Sequence, residues 1–103
     1  MIISSQSYLD YSVVDEKISQ LQGSNSVTLP IVKAGELDGE SIFILVDGHH
    51  RLEAAKELGI PVSFEEQNGS DWNFDSRWSL DDALAACWMD SEWENVETGK
   101  AAF

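Results

Sequence analysis

Only one stretch of the chain gathers chemically capable residues at close spacing: Asp47-Gly48-His49-His50-Arg51. An arginine can hold two phosphate oxygens at once through parallel N–H bonds. Imidazoles donate, accept or carry a proton near neutral pH. A glycine lets a small anion approach the backbone with no side chain in the way. A carboxylate beside them repels phosphate unless Mg²⁺ bridges the two, or unless it takes a hydroxyl proton or orients a neighbouring histidine. Gly48, His50 and Arg51 are therefore candidate anion ligands, and Asp47 and His49 are candidates for metal or proton handling. The same residues admit a structural reading, in which Asp47-Gly48 is an ordinary turn, Asp47 caps a helix and Arg51 pairs with Glu53 or a later acid. A transition-metal site is a third alternative. Adjacent histidines rarely point at one ion, however, and no third ligand follows at a recognised spacing, Cys87 being remote.

The flanking sequence says what positions these residues. Residues 42–46, Ile-Phe-Ile-Leu-Val, are apolar at every position, as in a strand buried on both faces. Residues 52–58 are Ala-rich, place Leu52, Ala55 and Leu58 on one stripe, and are followed by Gly59 and Pro61, which stop a helix. The five residues thus lie where a strand gives way to a helix. There, backbone N–H groups lack intrahelical partners and the aligned peptide dipoles favour an anion. Residues 62–66 predict another strand, and the order strand, turn, helix, strand predicts a crossover of the usual right hand. Upstream, residues 12–23 predict a helix capped by Ser12 and ended by Gly23. Residues 27–33 predict a strand whose Pro30 argues for an edge position or a bulge. Residues 34–41, polar with two glycines, predict a connection longer than a minimal turn. Beyond Gln67 lie all four tryptophans, and a helix opens at Ser79 with Asp82 three residues on. It is expected to bury Leu80, Leu84, Cys87 and Trp88. Trp72, Trp78 and Trp93 either cover the sheet or serve an interface.

The composition excludes some functions. The 103 residues carry a formal charge of -13. Residues 1–66 hold eleven acids against four bases and residues 67–103 hold eight against two, so no part of the chain is basic. Phosphate backbones are held by clustered Lys and Arg, so direct binding to DNA is disfavoured. A single cysteine forms no disulfide within the chain, which points to a reducing compartment. The opening residues lack the basic and apolar regions of a secretory signal. The longest apolar run, residues 83–89, is far short of a membrane span of about 20 residues. These features predict one cytoplasmic domain over residues 1–103, with residues 12–66 as the motif-bearing core and residues 67–103 as an acidic, Trp-rich cap.

Residues 42–61, IFILVDGHHRLEAAKELGIP, resemble the central motif of the ParB/sulfiredoxin-like superfamily, and the likeness extends over about residues 12–66. It implies an α+β fold, a small mixed sheet with packed helices. It also implies a nucleotide (ATP, ADP or CTP) with Mg²⁺, held by Gly48, His50 and Arg51, with Asp47 at the metal. The ParB box reads Gly-Glu-Arg-Arg, so Gly48 and Arg51 match while His49 and His50 depart from it. The helix-turn-helix region that ParB needs on DNA has no counterpart here. In sulfiredoxin the box reads Gly-Cys-His-Arg, and His49 stands where the nucleophilic cysteine would be, which removes that chemistry. The free-serine kinases of this fold carry a similar Asp-Gly-His-His-Arg, which implies phosphoryl transfer or nucleotide hydrolysis with Asp47 and His49 as catalytic groups. The alternative is an acidic inhibitor or immunity protein that has lost the ancestral activity. It would bind a basic partner such as a nuclease toxin, or mimic a nucleic acid.

Overall fold

A computed structural model describes the whole stretch Met1–Phe103. Strand β3, Glu40–Leu45, is its organising element. Successive side chains of a strand alternate between faces, and both faces of β3 are buried, as its unbroken apolar run predicts. Ile42 and Ile44 enter one apolar cluster, while Leu45 and Phe43 join the other. The remaining elements are β1 (Ile2–Ser4), α1 (Tyr11–Leu21), β2 (Val27–Leu37), α2 (His49–Leu58), β4 (Val62–Glu66), a 3₁₀ turn (Gly69–Trp72), α3 (Leu80–Cys87) and β5 (Glu94–Asn95). The fold is α+β: a five-stranded mixed sheet in the order β4-β2-β3-β1-β5 with three α-helices packed against it. β1 runs parallel to β3 and β2 parallel to β4, while the β2–β3 and β1–β5 pairs are antiparallel.

One cluster centres on Leu29, Ile31, Leu45 and Ala55 and packs Leu21 of α1 and Leu52 of α2. The other centres on Ile3, Ala34, Ile42, Ile44 and Ala83 and packs Leu80, Leu84 and Cys87 of α3. Helices α1 and α2 lie together on one face of the sheet, and α3 covers the other.

Several local expectations are corrected. Helix α1 starts one residue earlier than Ser12 and is capped by Asp10, whose carboxylate accepts the Ser12 amide at 3.0 Å and the Ser12 hydroxyl at 2.6 Å. With the helix starting at Tyr11, the Ser12 amide is one of its unpaired first-turn donors, and Asp10 is placed to accept it. Strand β2 is interior, not an edge. Pro30 sits at its junction with the end of β3, where its carbonyl accepts the Val46 amide at 3.3 Å, one residue beyond the last β3 residue. Its missing donor therefore falls where the ladder is already ending. The β2–β3 connection is a minimal two-residue turn, because β2 continues through a bulge after Lys33 as far as Leu37. Asp38 and Gly39, with φ of 52° and 79°, supply the left-handed pair that such a turn requires. The strand that follows α2 does not complete a parallel crossover. β4 pairs parallel with β2 and so runs opposite to β3, leaving the handedness rule for parallel strands nothing to act on. In the C-terminal third, Ser79 and Asp82 form the reciprocal capping box, and Leu80, Leu84 and Cys87 pack inward. Trp88 is the exception: it follows the last helical residue as the C-cap, and its side chain is 55% exposed.

Candidate functional site

The five residues that could do chemistry occupy the corner between β3 and α2. Gly48 is the N-cap of α2, with a left-handed φ of 89°, and brings no capping side chain. A Cβ there would sit 2.6 Å from Leu29 Cδ2 and 3.2 Å from a terminal guanidinium nitrogen of Arg51. The glycine is thus required by the backbone and by the core beneath it. The amides of His49, His50 and Arg51 have no acceptor within the protein, the first intrahelical bond being that from the Leu52 amide to the Gly48 carbonyl. Asp47 does not cap the helix. Its Oδ1 turns back to accept the Gly48 amide at 2.8 Å, and its Oδ2 lies 3.9 Å from Arg51, too long for a firm ion pair. Arg51 is not paired with Glu53, and its guanidinium remains available.

The two histidines differ in their engagements. His50 accepts the Asp10 amide on Nε2 at 3.2 Å, which ties α2 to the cap of α1 and leaves Nδ1 as its donor. His49 Nε2 lies 2.7 Å from the hydroxyl of Ser4, at the end of β1, and that hydroxyl accepts the Gln6 amide at 3.1 Å. Burial holds the His49 imidazole below the ordinary histidine range and His50 adds to this, while the carboxylates of Asp47 and Asp90 work in the opposite direction. A neutral imidazole at hydrogen-bond distance from a hydroxyl can take its proton. No sequence pattern links Ser4 to His49; only the parallel pairing of β1 with β3 brings them together.

Of the cavities that border these residues, two include Asp47. One, of about 500 Å³, has no apolar lining: Asp47, Gly48, His49, His50 and Arg51 form one side, and Gln6, Lys17 and Gln20 complete it. Lys17 and Gln20 lie on α1 and are joined by a 3.5 Å bond from Nζ to Oε1. Their part in the site follows from the packing of α1 beside α2, which the sequence does not announce. The other cavity, of about 270 Å³, shares Gln6, Asp47 and His49 and is walled by Trp72, Phe74, Cys87, Met89 and Trp93. The C-terminal third therefore borders the site. Cys87 enters this second cavity, but no three His, Cys, Asp or Glu side chains come together in a group that could hold a metal ion. Burial raises the Cys87 thiol above its ordinary range, away from thiolate chemistry.

Comparison of the chain with protein-family models, with curated proteins and with solved structures finds no match. The geometry of the two cavities is therefore what bears on function.

Proposed function

We propose that this protein binds a nucleotide, with the phosphates in the polar cavity at the start of α2 and the base in the aromatic cavity beyond Asp47 and His49. One observation carries the reading. In a chain with a formal charge of -13 and only six Lys and Arg, both histidines, Arg51 and Lys17 converge on one cavity that has no apolar lining. Such a gathering of donors, beside three unpaired amides, serves an anion. The adjoining aromatic walls extend the fit from a bare phosphate to a phosphate ester with a flat apolar group. The likeness of residues 42–61 to the ParB/sulfiredoxin-like motif agrees with this reading.

Arg51 then grips two phosphate oxygens, Lys17 supplies a point charge, His50 donates through Nδ1, and Gly48 holds the first turn of α2 open. Asp47 brings one exposed carboxylate and no second acidic ligand, so Mg²⁺ fits here only with most of its ligands drawn from phosphate oxygens and water. Phosphoryl transfer or nucleotide hydrolysis is the reaction class this arrangement serves, with Asp47 and His49 as the groups able to accept a proton.

Thermal-shift measurements against ATP, ADP, CTP and GTP, each with Mg²⁺, test the proposal. A ligand at 100 times its Kd stabilises the fold by about 2.7 kcal/mol. The expected result is a clear rise in Tm with at least one nucleotide, lost in Arg51→Ala and weakened in Lys17→Ala and in EDTA. No shift with any nucleotide would refute it.

A further inference from the structure

We propose that the groove bordered by Trp88, Glu92, Trp93 and Phe103 is a docking surface for a basic protein, and that it takes an arginine or lysine side chain of that partner. The four tryptophans are placed differently. Trp72 reaches the cavity beside His49, and Trp78 packs on Phe74 with ring centroids 5.7 Å apart. Trp88 instead ends α3 facing solvent. The segment after β5 then folds back along it: Glu94 bridges Ala101, and the Ala102 amide donates to the Trp93 carbonyl at 3.0 Å. That return brings Phe103, 58% exposed, beside Trp93 and Trp88. The resulting groove holds about 360 Å³, and its one charged lining residue is Glu92.

This lining selects its occupant by charge. Aromatic faces carry negative potential and attract cations, guanidinium and ammonium groups among them. An apolar side chain would satisfy the rings but would strip water from the Glu92 carboxylate without pairing it. A cation satisfies both. The surroundings have the same sign, since residues 88–103 hold Asp90, Glu92, Glu94 and Glu97 against Lys100 alone. Together with the overall charge of -13, they attract a basic surface and repel an acidic one. Arg and Trp are also the residue types that most often anchor interfaces. The groove shares no residue with the polar cavity at α2 and only Trp93 with the aromatic cavity beside His49, and its use by a basic partner does not require nucleotide binding.

The test uses the full chain, labelled with ¹⁵N and free of nucleotide, titrated with an acetylated and amidated hexa-arginine peptide. Four indole N–H signals report independently. The Trp88 and Trp93 signals are expected to move and saturate together while Trp78 stays still. Trp88→Ala and Phe103→Ala should each weaken binding about three- to fivefold. Glu92→Gln should do the same, and Glu16→Gln on α1 should leave affinity unchanged. An unmoved Trp78 signal in each variant shows that the fold is kept. Shifts spread evenly over all acidic surfaces, or full affinity in both aromatic variants, would overturn the proposal in favour of attraction by net charge alone. Saturation of the same indoles by tetramethylammonium at the peptide's own concentrations would assign the groove to a free small cation, which also overturns it.

Discussion

At residue scale, Gly48 carries two demands at once. Its left-handed φ of 89° penalises any side chain, and the space a Cβ would enter is held by Leu29, which is fully buried. Because Leu29 is locked in the core, its methyl cannot simply swing aside. Gly48→Ala is expected to destabilise the fold by about 2–4 kcal/mol, combining a left-handed alanine with overpacking. A fall in Tm of roughly 10 °C or more, followed by circular dichroism, is the check; an unchanged Tm would contradict the stated geometry. Asp90 offers a pH prediction. Its carboxylate accepts the Ser7 amide at 2.8 Å and the Ser7 hydroxyl at 3.1 Å, tying the segment after α3 to the chain leaving β1. Those bonds, the backbone one first, hold the Asp90 carboxyl below its ordinary value of 3.8. The unfolded chain therefore binds the proton first, so the stabilisation is present above pH 3.8 and is lost as pH falls through the lowered folded value. The Tm gap between wild type and Asp90→Asn should be full at pH 6 and close in acid. A gap that widens toward low pH would show the sign to be wrong.

At the scale of elements, α2 and α3 contrast in how their first turns are satisfied. At α3, Ser79 accepts the Asp82 amide at 3.2 Å and Asp82 accepts the Ser79 amide at 3.1 Å. At α2, a glycine cap leaves the first amides open. The closed terminus contributes to stability and the open one is free for a ligand. Ser79→Ala should therefore cost about 1 kcal/mol in urea unfolding and leave any nucleotide affinity unchanged. A loss of nucleotide affinity in that variant would mean that α3 is coupled to the site. The capping box was legible because both partners lie within one turn of sequence. At α1, Ser12 and Asp10 both have the chemistry of a cap, and only the folded geometry chooses between them.

For the whole molecule, charge dominates. With nineteen Asp and Glu against six Lys and Arg, the folded chain repels itself, and its side-chain ion pairs do little to offset this. Arg77–Asp75 at 2.8 Å and Lys33–Glu36 at 3.1 Å each include an exposed cation and lie close in sequence. Pairs of this kind contribute little. Raising NaCl from about 0.05 to 0.5 M shortens the screening length several-fold and should raise Tm, as measured by calorimetry. A fall in Tm would mean that ion pairing outweighs repulsion. In this acidic background, Lys17, His49, His50 and Arg51 nonetheless converge on one cavity.

From sequence alone, α1, β2, β3, α2, β4 and α3 were determined to within a few residues at their ends, together with the placing of residues 47–51 at a strand-to-helix corner. Each of these is written in short-range patterns: an unbroken apolar run, a stripe at helical spacing, a capping box, stop signals at Gly59 and Pro61. Tertiary structure decided the rest, because it depends on which distant segments pack together. The neighbour of His49 is Ser4, set by the β1–β3 pairing, and Lys17 joins the polar cavity because α1 lies beside α2. Trp88 reaches solvent because α3 ends before it, and Phe103 reaches Trp88 because the chain after β5 turns back along that strand. Periodicity marks which residues face a core, but contacts between segments distant in the chain arise only once the elements have packed.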